Sequence, residues 1–166
     1  MRYAVIDLET TGFNPREDRV VEMACVLVED GHVGRSWSTL VDPQRSIPPH
    51  ATRVHGICDA DVAGAPPFMR AQRALHGLCA GATVVAHNAR FDLSFLPLLE
   101  RLPSLCTVQL ARRCFPNAPN HKCQTLREYL QIDLPGVQAH RALGDALVTA
   151  AILVRCLQRY DRAISA

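Results

Sequence analysis

The first part of the chain alternates runs of β-branched and other apolar residues with short polar turns, a pattern typical of strands. Strands are predicted over Tyr3–Ile6, Val20–Glu29, 32–41, Thr83–Ala86 and Thr107–Leu110. Turn residues at 12–15 and 29–31 separate the first three strands by only a few positions. We therefore expect those three strands to pair in an antiparallel meander.

Apolar residues at helical spacing predict the remaining elements. Helices are predicted over Pro67–Ala80, Phe91–Leu102, Thr125–Leu130 and Arg141–Tyr160, with a short helical turn at 59–61 and loops at 42–56, 114–122 and 131–140. The last helix carries the clearest amphipathic stripe. This order predicts an α/β fold in which helices flank a mixed five-stranded sheet with antiparallel early strands, as one domain over residues 1–166.

Composition narrows the functional class only a little. The chain is 48% hydrophobic and 20% charged, ordinary values for a globular protein, and has no apolar run long enough to span a bilayer. Asp7 interrupts the N-terminal apolar run, which argues against a signal peptide. The seven cysteines are odd in number and mostly lie in apolar stretches, as reduced thiols do. We therefore expect a cytoplasmic protein with no membrane partner.

The net charge of +2 is uninformative, but all of the 18 basic residues except Lys122 are arginine. Arginine binds phosphate through two parallel hydrogen bonds, which suits a nucleic-acid partner. A coding bias towards arginine explains the same composition equally well. Charge therefore leaves the partner open.

Asp7 and Glu9 are the first candidates for chemistry. Side chains alternate along a strand, so both acids point to one face while Leu8 points to the other. Two like charges at the end of a buried strand repel each other, and a divalent cation between them relieves that repulsion. The alternative is that the strand ends at Ile6 and that both acids are solvated.

Other polar residues appear where predicted strands end or helices begin. Asp92 opens an otherwise apolar helix, where the helix dipole alone could favour it. His140 and Asp145 are five residues apart, a spacing that does not place two residues on one helical face. If the helix starts at residue 141, however, both can face the same cleft. His87 and Asn88 directly follow the fourth strand.

These segments together resemble a known family. Residues 7–12 (DLETTG), 87–96 (HNARFDLSFL) and 140–145 (HRALGD) are similar to the three exonuclease motifs of the DEDDh 3′→5′ exonucleases. The likeness is greatest to the proofreading epsilon subunit of bacterial DNA polymerase III and its stand-alone relatives. It runs from residue 3 to about 155 and includes 54–57 (VHGI), which resembles the loop between the first two motifs. It implies a ribonuclease H-like fold.

The resemblance also implies a mechanism. Two divalent metal ions, Mg²⁺ or Mn²⁺, would generate a nucleophile from water and stabilise the leaving oxygen. Asp7 would bridge both ions, Glu9 and Asp145 would complete one site, and Asp92 would hold the second. His140 would act as general base, because an imidazole can be neutral at physiological pH.

Substrate contacts follow from the same resemblance. Thr10 and Thr11 are expected beside the terminal nucleotide, His55 over its sugar or base, and Asn88 at the strand or at the loop that carries Asp92. Phe13, Phe91 and Phe95 could stack on bases, although the apolar neighbours of Phe91 and Phe95 favour the core for those two.

The function implied is release of nucleoside 5′-monophosphates from 3′ ends of single-stranded DNA. RNA trimming is the first alternative, and a nucleic-acid-binding module without turnover is the second. The polymerase-bound relatives carry an extra C-terminal segment for docking, and we expect no counterpart of it here. We expect the protein to act alone, to dimerise, or to meet a partner such as a DNA polymerase through the domain itself.

Overall fold

The computed structural model describes residues 1–164, with side chains described up to residue 160. Five strands form its sheet: β1 Arg2–Thr10, β2 Val20–Glu29, β3 His32–Leu40, β4 Thr83–Ala86 and β5 Ser104–Cys106. They lie in the order β3-β2-β1-β4-β5. The first three strands pair antiparallel, whereas β4 and β5 run parallel to β1. The predicted mixed sheet is confirmed.

Seven helices accompany the sheet in the described residues: α1 Pro49–His55, α2 Asp59–Val62, α3 Phe68–Cys79, α4 Ala89–Ser94, α5 Thr107–Cys114, α6 Cys123–Tyr129 and α7 Ala142–Ile164. Helix α7 packs on one face of the sheet, against buried residues such as Tyr3, Val5 and Val26. Residues of α3 and α4 pack on the other face, in a core that includes Ile6 and Met23. Apolar burial on both faces therefore fixes the sheet in a central layer.

The alternation of β1 decides where its acids point. Ala4, Ile6 and Leu8 belong to the core beneath α3 and α4, while Tyr3 and Val5 belong to the core beneath α7. Asp7 and Glu9 continue the second series and therefore lie on the α7 face. The strand runs on to Thr10, so the alternative that it ends at Ile6 is wrong.

The predicted loop at 42–56 contains a helix. Helix α1 begins at Pro49 because proline suits the first helical position, where its missing N–H has no partner to lose. It ends at Gly56, whose φ of 76° is accessible to glycine without strain. Two adjacent prolines were therefore the start of a helix and not a loop.

The predicted helix at Phe91–Leu102 is wrong in extent. Helix α4 covers only Ala89–Ser94, and a series of turns follows it. Pro97 accounts for the early end, because proline lacks an N–H to donate and clashes with the preceding helical turn.

The predicted strand at Thr107–Leu110 is also wrong. The fifth strand is the preceding segment, β5, and Thr107 begins α5. Thr107, Ala111 and Cys114 are the buried residues of α5, which is a helical period that a four-residue window cannot display. The remaining helices lie within a few residues of their predicted bounds.

Within the part of the chain that the structure describes, no helix has the length and apolar character needed to cross a bilayer.

Candidate active site

Three carboxylates converge between the sheet and the start of α7. Asp7 and Glu9 project from β1, and Asp145 lies in the first turn of α7. Each offers an oxygen, and these three oxygens all lie within 4.8 Å of one another. The helix begins at Ala142, so Asp145 faces the strand that carries the other two acids. The cluster is the one group of potential metal ligands found among the described residues.

The electrostatics of this cluster favour a cation. Burial, followed by the charges of Asp145 and Glu22, raises the pKa of Glu9 from its usual 4.5 to about 8. Burial, followed by repulsion from Asp92, Glu9 and Asp145, raises the pKa of Asp7 well above its usual range. Burial also raises the pKa of Asp145. Hard cations prefer such oxygen ligands, and their charge would replace the protons that these acids otherwise retain.

Asp92 lies beside this cluster, on α4. Its side chain is 3% exposed, and burial raises its pKa to about 8 although backbone N–H groups, including that of Leu8, donate to it. Among the neighbouring charges, that of Asp92 has the largest effect in raising the pKa of Asp7. Asp92 is therefore a fourth acid within electrostatic reach, although it is not among the three whose oxygens meet within 4.8 Å.

His140 lies at the exposed edge of the site, just before α7. Its backbone has a φ of 57°, in the left-handed region that few residues other than glycine adopt. Its backbone N–H donates to Oδ2 of Asp145 over 3.1 Å, while Nε2 of Gln124 donates to Oδ1 of the same carboxylate over 3.0 Å. The loop before α7 and its first turn thus bring His140 and Asp145 together, despite a spacing that does not suit one helical face.

The hydroxyls of Thr10 and Thr11 are engaged within the protein. Thr10 donates to the carbonyl of Gly12 over 2.6 Å. Thr11 is fully buried, donates to Asp18 over 3.1 Å and accepts the N–H of Arg19 over 3.0 Å. A Cβ at Gly12 would collide with the Asp18 carboxylate, so a larger residue there would have to displace the side chain that holds Thr11. These contacts hold the end of β1 in place.

His55 and Asn88 occupy different environments. His55 is 3% exposed, its Nδ1 accepts the N–H of Ile57 over 3.0 Å, and its buried Nε2 has no hydrogen-bond partner in the described part of the chain. Burial lowers the pKa of its imidazole. Asn88 is exposed and precedes α4 with a φ of 81°, a conformation that asparagine tolerates better than most residues.

The three phenylalanines form a row beside Asp92. The ring centroids of Phe13 and Phe91 are 6.2 Å apart, and those of Phe91 and Phe95 are 5.2 Å apart. Phe95 is buried, whereas Phe13 is 85% exposed. Phe13 alone therefore presents most of its ring to solvent.

Sequence reasoning missed two residues that touch this site. Gln124 holds Asp145, and Glu22 is a buried acid on β2, directly opposite Glu9 in the register. A signal for Glu22 was present, since it is a charge inside the apolar run from Val20 to Val28. Gln124 gave no such signal, because polar residues are common at the start of a helix.

This fold and site agree with the comparison to known protein families. Residues 4–153 match the family described as Exonuclease (RNase T). The match covers most of the chain and contains the three motifs with all five DEDDh positions filled. The chain belongs to the DEDDh exonuclease family.

This chain covers very different shares of the lengths of its individual relatives. The chain is 40% identical over 167 residues to a DNA polymerase III subunit epsilon-like protein of Rhodobacter capsulatus, covering 95% of this chain but only 24% of that protein. It is 34% identical to the DNA polymerase III subunit epsilon of Aquifex aeolicus, covering 94% of this chain and 80% of the relative. The chain therefore spans only about a quarter of the length of the Rhodobacter relative but most of the length of the Aquifex relative.

A solved structure with a similar level of sequence identity to this chain has the same fold. Exonuclease X in complex with 5′ overhanging duplex DNA superposes with a TM-score of 0.78 and 35% identity, over 95% of this chain and 90% of that one. The mixed sheet flanked by helices is therefore the exonuclease fold of the ribonuclease H-like kind that the motifs implied.

Proposed function

We propose that this protein is a 3′→5′ exonuclease that hydrolyses single-stranded DNA to nucleoside 5′-monophosphates with two divalent ions, Mg²⁺ or Mn²⁺. The observation that carries the proposal is the convergence of Asp7, Glu9 and Asp145 within 4.8 Å at the end of β1, the central strand of the sheet. Three acids so close, with pKa values raised by burial and mutual repulsion, are a costly arrangement unless a cation neutralises them.

The donor set fits hard divalent cations, because it consists of carboxylate oxygens. Asp7, Glu9 and Asp145 would hold one ion, with Asp7 shared, and Asp92 would hold the second. When bound, the ions supply an activated water and stabilise the charge on the leaving oxygen. Strand β1 and helices α4 and α7 hold the four carboxylates in place, so little reorganisation is needed when the reaction begins.

His140 is proposed as general base. Its exposed position at the mouth of the site leaves the imidazole open to an incoming water, while the backbone N–H of the same residue is tied to Asp145. Proton removal by a positioned histidine commonly contributes two to four orders of magnitude in rate. The hydrogen bond to Asp145 supports this role, because it couples the position of the base to that of a metal ligand.

We propose that residues around the carboxylates contact the end of the nucleic acid. Phe13 has the exposed aromatic surface needed to stack on a base. Asn88 is exposed at the start of the helix that carries Asp92. Thr10 and Thr11 would act through the shape of the turn that they stabilise. Among the described residues the Nε2 of His55 has no partner, but His55 is buried at the end of α1, so contact with a nucleotide requires a movement that exposes it.

DNA is preferred over RNA as substrate because the relative solved with a nucleic acid at 35% identity binds DNA. We further propose that residues 1–166 act as one exonuclease domain in the cytoplasm. We propose a DNA polymerase as the protein partner, because several relatives are named as polymerase subunits. A second copy of this chain is the alternative partner.

The direct test uses a single-stranded DNA oligonucleotide labelled at its 5′ end, with Mg²⁺ or Mn²⁺. A ladder of products shortened from the 3′ end is expected, and Asp7→Asn should abolish it while leaving the protein folded. An RNA of the same sequence should be shortened more slowly.

Three results contradict the proposal. Binding without shortening in either metal indicates a binding module. Shortening of the RNA alone indicates an exoribonuclease. Cleavage of circular single-stranded DNA indicates an endonuclease, since a circle has no 3′ end.

A further inference from the structure

Glu22 is a buried acid that the proposed metal site does not use. It pairs with Glu9 across β1 and β2, so both side chains lie on the α7 face. The register shifts by one residue directly beside this pair, which makes a bulge at Val21. Glu22 is 4% exposed, yet it is not among the acids whose oxygens cluster within 4.8 Å in the described residues. Its carboxylate must therefore be held elsewhere.

Both oxygens of Glu22 are occupied by residues at the start of α7. Oε1 accepts from Nη2 of Arg141 over 2.7 Å, and Oε2 accepts from Nε of the same guanidinium over 3.0 Å. Oε2 also accepts the backbone N–H of Ala142, the first residue of α7, over 2.9 Å. A two-point arginine contact combined with a helix-start N–H fixes both position and direction.

These contacts hold the residues directly after His140. Glu22 binds residues 141 and 142, while Asp145 binds the backbone N–H of His140 itself. A Cβ at Gly144 would collide with the carbonyl of Gln138, so the loop before His140 also lies tight against the first turn of α7. The short segment that carries His140 is thus constrained on both sides.

The backbone of His140 needs such constraint. A left-handed conformation costs a residue other than glycine on the order of 1–2 kcal/mol, and it persists where the surroundings impose it. Stability alone does not explain why the buried Glu22 is paired with the partly exposed Arg141, because well-packed apolar residues are often as stabilising as such a pair. The pair adds what an apolar contact lacks, which is a defined direction.

We propose that Glu22 is a positioning residue that, through Arg141 and the N–H of Ala142, sets the place of His140 relative to Asp145. This inference rests on the proposed exonuclease function. It assigns Glu22 no contact with metal or substrate. A residue of this kind affects the rate of the chemical step more than the binding of the oligonucleotide, because a displacement of about 1 Å at the base costs up to about 100-fold in rate.

The test measures kcat and KM for single-stranded DNA at saturating Mg²⁺, well below the melting temperature, in Glu22→Gln, Arg141→Gln and the double variant. Glu22→Gln keeps an oxygen for the N–H of Ala142, but its amide nitrogen cannot accept from Arg141. We expect each single variant to lower kcat by about 10- to 100-fold with KM changed less than threefold. The double variant should be no slower than either single one, because both break the same contact.

The matched control is Glu29→Gln, on the same strand. Glu29 forms an exposed ion pair with Arg2, which such a change should barely affect. Should Glu22→Gln fail to fold, Arg141→Lys replaces it, since it keeps the charge, loses the two-point contact and changes a side chain that is 35% exposed. The same fall in kcat is expected.

A folded Glu22→Gln variant with kcat within twofold of wild type overturns the inference, as do additive losses in the double variant. A rise in KM at constant kcat also overturns it, because that indicates a role in binding. If the wild-type protein has no nuclease activity, or if Asp7→Asn is as active as the wild type, the proposed function is wrong. The inference about Glu22 is then wrong as well. An active wild type with an unchanged Glu22→Gln variant refutes the inference alone.

Discussion

The metal-free protein should lose stability as the pH rises from 7 to 8.5. Burial raises the pKa of Glu9 from 4.5 to about 8 and that of Asp92 from 3.8 to about 8. A group whose pKa is higher in the folded than in the unfolded state stabilises the fold fully below its unfolded pKa. That contribution is lost as the pH rises through the folded pKa. Rising pH therefore forces charge onto both acids without a cation to balance it.

The magnitude follows from the pKa values. A carboxyl group with a pKa of about 8 releases most of its proton between pH 7 and 8.5, which removes about 1 kcal/mol of stability. Water reduces the effect at the partly exposed Glu9, so the two groups together should contribute roughly 1–2 kcal/mol. In a domain of this size, 1 kcal/mol shifts Tm by about 2–4 °C. Tm should fall by roughly 2–8 °C.

The assay is thermal unfolding followed by circular dichroism, in chelator, at several pH values from 7 upwards. This range is chosen because the pKa values of the His55 and His87 imidazoles are lowered by burial, so both are largely neutral throughout. Glu9→Gln should reduce the fall in Tm, whereas the exposed Glu29→Gln should leave it unchanged. Saturating Mg²⁺ should remove most of the fall and raise Tm at pH 8.5, since a ligand that binds only the folded state stabilises it.

A metal-free Tm that is constant or rises over this range would refute the electrostatic reasoning. So would an equal pH dependence in the wild type and in Glu9→Gln. A fall in Tm that Mg²⁺ does not reverse would contradict the claim that these carboxylates bind a cation.

Three further changes test the proposed roles. His140→Ala should lower kcat by about 100-fold or more while keeping the rise in Tm with Mg²⁺, and His76→Ala, an exposed histidine on the opposite layer, should do neither. Asp92→Asn should abolish measurable turnover but leave the metal-free protein at least as stable as wild type at pH 8.5, because it removes a buried charge; retained turnover would contradict its role. Phe13→Ala should raise KM for single-stranded DNA by about fivefold or more at nearly constant Tm, and Phe13→Leu should also raise it if the aromatic face matters.

Sequence patterns predicted the sheet well because β1 and β2 contain apolar runs and the turns between the early strands are short. They failed where one residue decided the outcome. Pro97 ended α4 early, and Pro49 began α1 inside a predicted loop. At Thr107 the short apolar window was compatible with strand and helix alike, and only the buried positions up to Cys114 reveal the helix.

Two acids of the site were predictable from local geometry, because alternation along β1 places Asp7 and Glu9 on one face. Asp145 was implied by the family resemblance and not by helical spacing. The contact by which Glu22 holds the start of α7 was not predictable, since it depends on pairing between distant segments. Glu22 and Arg141 are 119 residues apart in sequence, and only the sheet register and the start of α7 bring them together.

The central claim is that the carboxylates at the end of β1 hold two divalent ions for phosphodiester hydrolysis. The most direct measurement is anomalous diffraction from crystals grown with Mn²⁺ and a nucleoside 5′-monophosphate. The account predicts two manganese peaks about 4 Å apart, bound by Asp7, Glu9, Asp145 and Asp92, with the nucleotide phosphate touching both. No manganese at Asp7, or manganese bound only at other acids while the nucleotide occupies the site, would contradict it.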